Sequence, residues 1–399
     1  MQLQSSRGSF LEVLIAFIRL GLTSFGGPVA HLGYFRHEFV ERRKWLNEHT
    51  YADLVALCQF LPGPASSQVG IALGIRRAGL LGGLAAWIGF TLPSAVALIL
   101  FAYGVTAIGD VADTGWLRGL KIAAVSVVAL AVWGMAGNLC PDRPRATMAI
   151  AAAIALLIWP TAIGQVATIA VAGIIGWRLL PENQTDSEPA EPFPVGRVVA
   201  VFCLALFGIL LVGLPVLRQV MSNEHLQVFD SFYRSGSLVF GGGHVVLPLL
   251  QAQVVPTGWV GNEEFITGYG AAQAVPGPLF TFSAYLGTML YGNQNAWLGG
   301  IFTLAAIFLP SFLLVIGTMP FWDLLRGQSG FRGASRGISA AVVGLLLAAL
   351  YNPVWTSAVH TREDFGLALA VFALLALWKW PPWLVVVLSA LGGQVIAVL

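Results

Sequence analysis

Residues 17–27 read Phe-Ile-Arg-Leu-Gly-Leu-Thr-Ser-Phe-Gly-Gly, and residues 232–242 read Phe-Tyr-Arg-Ser-Gly-Ser-Leu-Val-Phe-Gly-Gly. Six of these residues recur at the same spacing, 215 positions apart. Two further pairs follow in the same order: Gln59-Phe-Leu-Pro62-Gly63-Pro64 with Gln273-Ala-Val-Pro276-Gly277-Pro278, and Leu92-Pro93-Ser94 with Leu309-Pro310-Ser311. Three ordered matches at a nearly constant offset indicate a duplicated unit.

The composition is that of a polytopic, all-α membrane protein. Of the 399 residues, 57% are hydrophobic and 10% are charged, and the mean hydropathy is +0.79. Soluble domains are about 25% charged. Apolar runs near the roughly 20 residues that a membrane-spanning helix needs fill most of the chain. The lipid bilayer is therefore the expected partner, and the net charge of +2 gives no reason to expect nucleic acid.

The sequence lacks the residue patterns that several classes of chemistry require. Cys58, Cys140 and Cys203 are far apart and form no CxxC pair, so thiol redox chemistry is not expected. No HExxH, GxSxG, GxGxxG or GxxxxGK motif occurs. The sequence predicts no cofactor, no metal site and no enzymatic activity.

The duplication divides the chain into two membrane repeats. Residues 181–195 are acidic and rich in proline, which indicates a solvent-exposed linker. The first repeat covers 8–180 and the second covers 226–399, with a connecting transmembrane helix at 196–217. Duplicated apolar units interrupted by Gly and Pro are typical of secondary transporters.

Short apolar segments predict broken helices. In the first repeat, one apolar run ends at Gly26-Gly27-Pro28 and another at Pro62-Gly63-Pro64. Each piece is too short, or too polar at one end, for an independent span. We therefore expect two re-entrant hairpins, at 10–45 and 50–77.

The charge pattern predicts opposite orientations for the two repeats. Basic residues of cytoplasmic loops set membrane topology. The following basic residues would then be cytoplasmic: Arg36, Arg42, Arg43, Lys44, Arg76, Arg77, Arg143, Arg145, Arg326, Arg332 and Arg336. The loop at 251–264 carries no Lys or Arg, as expected if one connecting helix inverts the second repeat. This topology places the N-terminus inside and the C-terminus outside.

The helix breaks predict an anion site near the middle of the membrane. A broken helix exposes backbone N–H groups, and a helix N-terminus carries about half a positive charge. Glycine lets a ligand approach that backbone closely. Four such N-termini meeting between the repeats would bind an oxyanion. The candidate backbone ligands are Gly26, Gly27, Gly63, Gly241, Gly242, Gly243 and Gly277.

Two arginines strengthen this hypothesis. Arg19 and Arg234 recur at the same register, each before a Gly-Gly break. An arginine in an apolar helix lines a pathway or pairs with another group, and its guanidinium suits an oxyanion. The alternative is structural: each arginine pairs with a nearby carboxylate such as Glu12 or Asp230, or reaches the interface.

The residues that follow the first Pro-Gly-Pro turn are also candidates. Ser66, Ser67 and Gln68 could donate hydrogen bonds to an anion, or the serines could cap the helix. The second repeat has Leu279, Phe280 and Thr281 there, so the site would be asymmetric.

Two long stretches resemble the chromate ion transporter family. They are Phe25-Gly26-Gly27-Pro28-Val-Ala-His31 with its continuation to Gly70, and Phe240-Gly241-Gly242-Gly243-His244 with Pro276-Gly277-Pro278. The resemblance covers essentially the whole chain. It implies the two-domain form, an inner-membrane protein of bacteria that exports chromate and confers chromate resistance. It also implies that sulfate, a structural analogue, competes or exchanges.

The residue-based hypothesis and the resemblance agree on a tetrahedral dianion. Three questions stay open: whether chromate or another oxyanion such as sulfate is preferred, what supplies the energy, and whether the protein forms a homodimer. A chromate reductase is the alternative from another class, and the missing redox motifs argue against it.

Overall fold

The computed structural model describes residues 8–25, 27–108, 115–180, 193–221, 223–240, 245–322 and 329–398. Within these ranges every regular element is helical, so the predicted all-α fold is confirmed. Residues 181–192 of the predicted linker and the predicted cytoplasmic Arg326 lie outside the described residues.

The first half contains seven helices in the described ranges. They are α1 (Phe10–Thr23), α2 (Gly27–Phe35, continued by a π-helical segment Arg36–Arg42), α3 (Glu48–Phe60), α4 (Ala65–Ile108), α5 (Gly115–Leu139), α6 (Arg143–Ile158) and α7 (Ala162–Leu179). A long helix, α8 (Arg197–Val220), then leads to the second half.

The second half follows the same order. Its helices are α9 (Glu224–Leu238), α10 (Val246–Val254), α11 (Asn262–Ala272), α12 (Phe282–Thr318), α13 (Ser329–Ala349), α14 (Arg362–Ala376) and α15 (Pro382–Val398). Short 3₁₀ segments at Leu279–Thr281 and Met319–Phe321 flank α12, and a π-helical segment Leu350–Trp355 extends α13.

Polar caps explain several of the helix starts. The side chains of Ser9, Asn47, Asp142 and Thr161 each accept a hydrogen bond from a backbone N–H in the first turn of the helix that follows. These contacts satisfy donors that have no partner inside the helix. The local sequence therefore specifies where these helices begin.

The two longest helices, α4 and α12, break at equivalent glycines. Gly79 has a φ of 69° and Gly292 has a φ of 66°, which is the left-handed region that favours glycine. Each break separates a short helix after a Pro-Gly-Pro turn from a longer one that carries the Leu-Pro-Ser motif. The sequence predicted the Pro-Gly-Pro turns but not the bends at Gly79 and Gly292.

Helices of one half pack closely against helices of the other half. Gly119 of α5 packs closely against Ser389 of α15, and the Ser389 hydroxyl donates to the Gly119 carbonyl over 2.7 Å. In the equivalent place, Gly333 of α13 packs closely against Gly176 of α7. These close approaches require glycine because a larger side chain would meet backbone atoms.

Several helices can cross a membrane by length and apolarity. Among the described residues these are Ala65–Ala107, Gly115–Leu139, Arg197–Val220, Asn295–Phe321 and Arg332–Trp355. On α8, Val198, Phe202, Ile209 and Val212 are more than 60% exposed, as expected for a lipid-facing surface. The chain is therefore a polytopic membrane protein. Helices α1 to α3 are shorter, and their re-entrant placement stays a prediction.

Several basic residues that the charge pattern predicts to be cytoplasmic lie together. The guanidinium groups of Arg43 and Arg77 lie 5.6 and 5.3 Å from the ring centroid of Trp45. Arg36 pairs with Glu48 in the first turn of α3, over 2.7 Å. These contacts bring the segment 36–48 and Arg77 of α4 together. The inverted orientation of the halves stays a prediction.

Candidate functional site

The two Pro-Gly-Pro turns make reciprocal hydrogen bonds with the opposite half. The backbone N–H of Gly63 donates to the carbonyl of Val239 over 2.6 Å, and that of Gly277 donates to the carbonyl of Ser24 over 3.0 Å. Ser24 and Val239 follow the last residues of α1 and α9, and they are themselves 215 positions apart. The repeated motifs therefore meet each other across the two halves.

The third repeated motif lies at the same place. A Cβ atom on Gly63 would lie 3.0 Å from the hydroxyl of Ser311, and one on Gly277 would lie 2.9 Å from the hydroxyl of Ser94. Both glycines have positive φ angles, 125° and 99°. The two turns, the ends of α1 and α9, and the two Leu-Pro-Ser motifs therefore meet in one place. We call this place the crossing.

The elements at the crossing carry buried polar atoms that have no hydrogen-bond partner in the described part of the chain. They are Ser24 Oγ, Ser67 Oγ, Gln68 Oε1, Thr91 Oγ1, Gln273 Nε2 and Ser311 Oγ. All six side chains belong to buried residues. Buried polar groups are nearly always satisfied, so such a concentration is typical of a functional site. The four hydroxyls can each donate a hydrogen bond to an oxyanion, whereas Oε1 of Gln68 can only accept one.

His31 connects α2 to the crossing. Its Nε2 lies 3.2 Å from the carbonyl oxygen of Ser24, and its Nδ1 lies 3.3 Å from the hydroxyl of Ser66. The Ser24 carbonyl thus contacts both His31 and the Gly277 N–H. His31 therefore has a hydrogen-bonding role at the crossing.

Ser66, Ser67 and Gln68, predicted as binding residues, lie at the crossing. Gln68 is fully buried, and its Nε2 donates to the carbonyl of Pro62 over 2.7 Å. This bond holds the turn and leaves Oε1 without a partner. The Ser67 hydroxyl also lacks a partner, so it does not cap α4, which begins at Ala65.

The predicted glycines divide into two groups. Gly63 and Gly277 form the crossing, and Gly27 begins α2 with a φ of 78°. Gly26, Gly241, Gly242 and Gly243 lie outside the described residues.

Arg234 pairs with a carboxylate, as the structural alternative predicted. Its Nη2 lies 2.7 Å from Oδ2 of Asp230 and 3.4 Å from Oε1 of Gln253. Arg218 of α8 lies 2.9 Å from the same carboxylate oxygen, and Asp230 is fully buried. A buried carboxylate is stable only when it is paired, so this contact supports the structural alternative for Arg234.

Arg19 lies in a different environment. Its side chain is on the exposed face of α1, with Leu11, Ile15 and Leu22. The alternative partner Glu12 instead accepts from Arg77 over 3.0 Å. The two arginines therefore do not form the matched pair that the repeat suggested. Arg19 and Arg234 occupy the same position in the repeat. Four residues earlier, however, the second half has Asp230 where the first half has Ile15.

A double substitution distinguishes a structural role of Arg234 from a role in the anion path. We expect Arg234→Gln to destabilise the protein, by about 1–3 kcal/mol, because it leaves part of the buried Asp230 carboxylate unpaired. Combining it with Asp230→Asn removes that charge and should restore stability. Thermal unfolding and transport are measured for the single and double variants. If the stable double variant transports normally, Arg234 is structural; if transport stays absent, it belongs to the anion path.

A second group of ion pairs joins the halves at α5. Arg118 Nε lies 2.6 Å from Oδ1 of the buried Asp364. Lys121, with 7% of its surface exposed, pairs with Glu263 at the start of α11.

Sequence reasoning missed Ser24, Ser94, Thr91, Gln273 and Ser311 as site residues. Ser94 and Ser311 belong to the repeated Leu-Pro-Ser motif, which was recognised as evidence of duplication but not as part of a site. Among the described residues, no group of three or more His, Cys, Asp or Glu side chains could hold a metal ion.

Comparisons with known proteins indicate the same family over most of the chain. Residues 11–177 and 226–394 match the family described as Chromate transporter. The chain is 27% identical to the chromate transport protein of Pseudomonas aeruginosa, over 96% of this chain and 91% of the relative. It is 25% identical to the probable chromate transport protein of Synechococcus elongatus, over 95% and 93%. It is 24% identical to the chromate transport protein of Cupriavidus metallidurans, over 92% and 88%. No solved structure matches the chain.

Proposed function

Because this chain belongs to the chromate transporter family, we propose that it exports chromate across the inner membrane by alternating access around the crossing. Family membership supports chromate as the transported anion. The outward direction, the oxyanion site at the crossing and the opposite orientation of the halves belong to the proposal.

The polar atoms at the crossing are the observation that carries the proposal. Chromate is a tetrahedral dianion, and it needs hydrogen-bond donors from several directions. The hydroxyls of Ser67 and Ser311 come from opposite halves, and neither has a partner in the described residues. An unsatisfied buried group costs about 1–3 kcal/mol, which a bound oxyanion would recover.

The burial of the crossing supports alternating access. Ser24, Gln68, Ser94 and Ser311 are fully buried, so an ion can reach them only after the halves move. Each turn is tied to the other half by one backbone hydrogen bond. Rocking of one half against the other would open the crossing first to one side and then to the other.

Uptake by everted membrane vesicles tests the function. We expect vesicles containing this protein to accumulate radiolabelled chromate under imposed pH or potential gradients, and vesicles without it to accumulate none. Comparing the two gradients, and vesicles preloaded with sulfate, identifies the driving force. Well-expressed, correctly folded protein that moves no chromate under any of these conditions would contradict the proposal.

Sulfate is the second candidate substrate, because it has the same charge and geometry as chromate. We expect sulfate to compete with chromate uptake more strongly than phosphate does. Labelled sulfate uptake that exceeds chromate uptake at equal concentration would make sulfate the preferred substrate.

A further inference from the structure

A basic cavity of about 330 Å³ lies outside the crossing, between α3, α6, α13 and the C-terminal end of α5. Arg145, Arg332 and Arg336 line it, together with Ser335, and Asp53 supplies a carboxylate. Three guanidinium groups against one carboxylate give the cavity wall an excess of positive charge. Such a cleft raises the local concentration of anions.

Asp142 belongs to the charge balance at the mouth of this cavity. Its carboxylate pairs with Arg145 over 2.6 Å, and hydrogen bonds from Arg145 lower the pKa of Asp142. Asp142 is thus ionised at neutral pH and neutralises part of the charge of Arg145. With Asp142 included, the described charges around the cavity are three arginines and two carboxylates.

The indole of Trp322 is an independent sign of a ligand. Trp322 lines the cavity, is 92% buried, and its Nε1–H has no hydrogen-bond partner among the described residues. The Trp322 ring meets Phe60 edge-on, with ring centroids 6.1 Å apart. A buried indole N–H normally finds a partner. An anion in the cavity would provide one.

One wall of the cavity is close in sequence to the crossing. Asp53, Ala56 and Phe60 lie along one face of α3 and form one wall. Only Leu61 and Pro62 separate Phe60 from Gly63 of the first Pro-Gly-Pro turn.

The equivalent place in the other half has a different charge balance. Arg118 lies 214 positions before Arg332, the same offset that relates Gly63 to Gly277. Arg118 is paired with the buried Asp364, and nearby Lys121 pairs with Glu263. Among the described residues, two cations and two carboxylates are therefore paired there, whereas three arginines and two carboxylates lie around the cavity.

We propose that this cavity is an anion-binding vestibule at the cytoplasmic end of the path, which collects tetrahedral oxyanions before they enter the crossing. The inference rests on the proposed function for the identity of the transported ion. The cytoplasmic assignment follows from the positive charge pattern, which places Arg145, Arg332 and Arg336 inside. The unequal charge of the two ends favours loading from the cytoplasm.

Thiol labelling measures the potential in the cavity without requiring transport. Ser335→Cys is made in a background where Cys58, Cys140 and Cys203 are replaced, with Thr147→Cys on the exposed surface of α6 as the control position. In everted vesicles, an anionic and a cationic membrane-impermeant thiol reagent of equal size are compared. We expect the anionic-to-cationic rate ratio at Ser335→Cys to exceed that at Thr147→Cys by about tenfold.

Arginine variants and sulfate complete the test. Arg332→Gln and Arg336→Gln should each lower the rate ratio at Ser335→Cys, Arg336→Lys should preserve it, and the exposed Arg143→Gln should not change it. Sulfate, used because chromate oxidises thiols, should protect Ser335→Cys and not Thr147→Cys. Gel filtration in detergent reports whether each variant retains its fold.

The results separate this inference from the proposed function. A ratio no higher at Ser335→Cys than at Thr147→Cys, no sulfate protection, or labelling only from the opposite face would overturn the vestibule. Sulfate-protected labelling in a protein that transports no chromate would support the vestibule as an anion site and contradict the proposed substrate.

Discussion

Gly63→Ala is expected to abolish transport. At a φ of 125°, alanine is strained by about 1–2 kcal/mol. The added Cβ would also lie 2.5 Å from Nε2 of Gln68 and 3.0 Å from the hydroxyl of Ser311. The turn must move to relieve these contacts, which disturbs its hydrogen bond to Val239 in the other half. Gly277→Ala should act in the same way, through Ser94 and the Phe90 carbonyl.

Gly258→Ala is the matched control for this prediction. Gly258 has a φ of 75°, but a Cβ atom there would meet nothing within 4 Å. The control therefore also places alanine at a positive φ, but without a steric conflict. Chromate uptake is measured per amount of folded protein, as judged by gel filtration in detergent. Equal uptake by the Gly63→Ala and Gly258→Ala variants would show that the crossing is not part of the transport path.

Ser311→Ala is expected to reduce chromate uptake at least about tenfold while leaving stability unchanged or higher. A hydrogen bond to a charged group contributes about 1.5–3 kcal/mol, and 1.4 kcal/mol corresponds to roughly tenfold in affinity. The Ser311 hydroxyl is buried and has no partner among the described residues. Removing it sacrifices no internal hydrogen bond. A residue kept for stability would show the opposite behaviour.

Ser389→Ala shows what a structural serine does. The Ser389 hydroxyl is fully buried, but it donates to the carbonyl of Gly119 over 2.7 Å. We expect this variant to lose about 1 kcal/mol of stability and to retain normal uptake. Thermal unfolding and initial uptake rates are compared for both serines. If Ser311→Ala lowers the unfolding temperature and leaves uptake unchanged, the Ser311 hydroxyl is not an anion ligand.

The sequence was most informative where a local pattern has a local physical cause. Proline and glycine interrupt helices wherever they occur, so the breaks at Pro62-Gly63-Pro64 and Pro276-Gly277-Pro278 could be predicted from the sequence. Apolar content likewise indicates a membrane protein, because the bilayer requires it. The bends at Gly79 and Gly292 were not predicted, since isolated glycines are frequent and most of them remain helical.

The site required information that local patterns do not contain. The repeat predicted equal roles for Arg19 and Arg234, but a side chain's role depends on which groups it meets. Asp230 and Arg218 hold Arg234, while Arg19 lies on the exposed face of α1. The sequence also identified the Leu-Pro-Ser motif only as a repeat. Its serines became site candidates when the fold placed them beside the opposite Pro-Gly-Pro turn.

By itself, the sequence determined the all-α membrane fold, the duplication, the helix breaks and the family. These follow from hydrophobicity, backbone preference and repeated order, which act within short stretches of chain. Only the tertiary structure decided that Gly63 bonds to Val239 and Gly277 to Ser24, so that each half completes the other. Contacts between residues more than 170 positions apart depend on how whole helices pack, and that packing brings the unpartnered polar atoms together at the crossing.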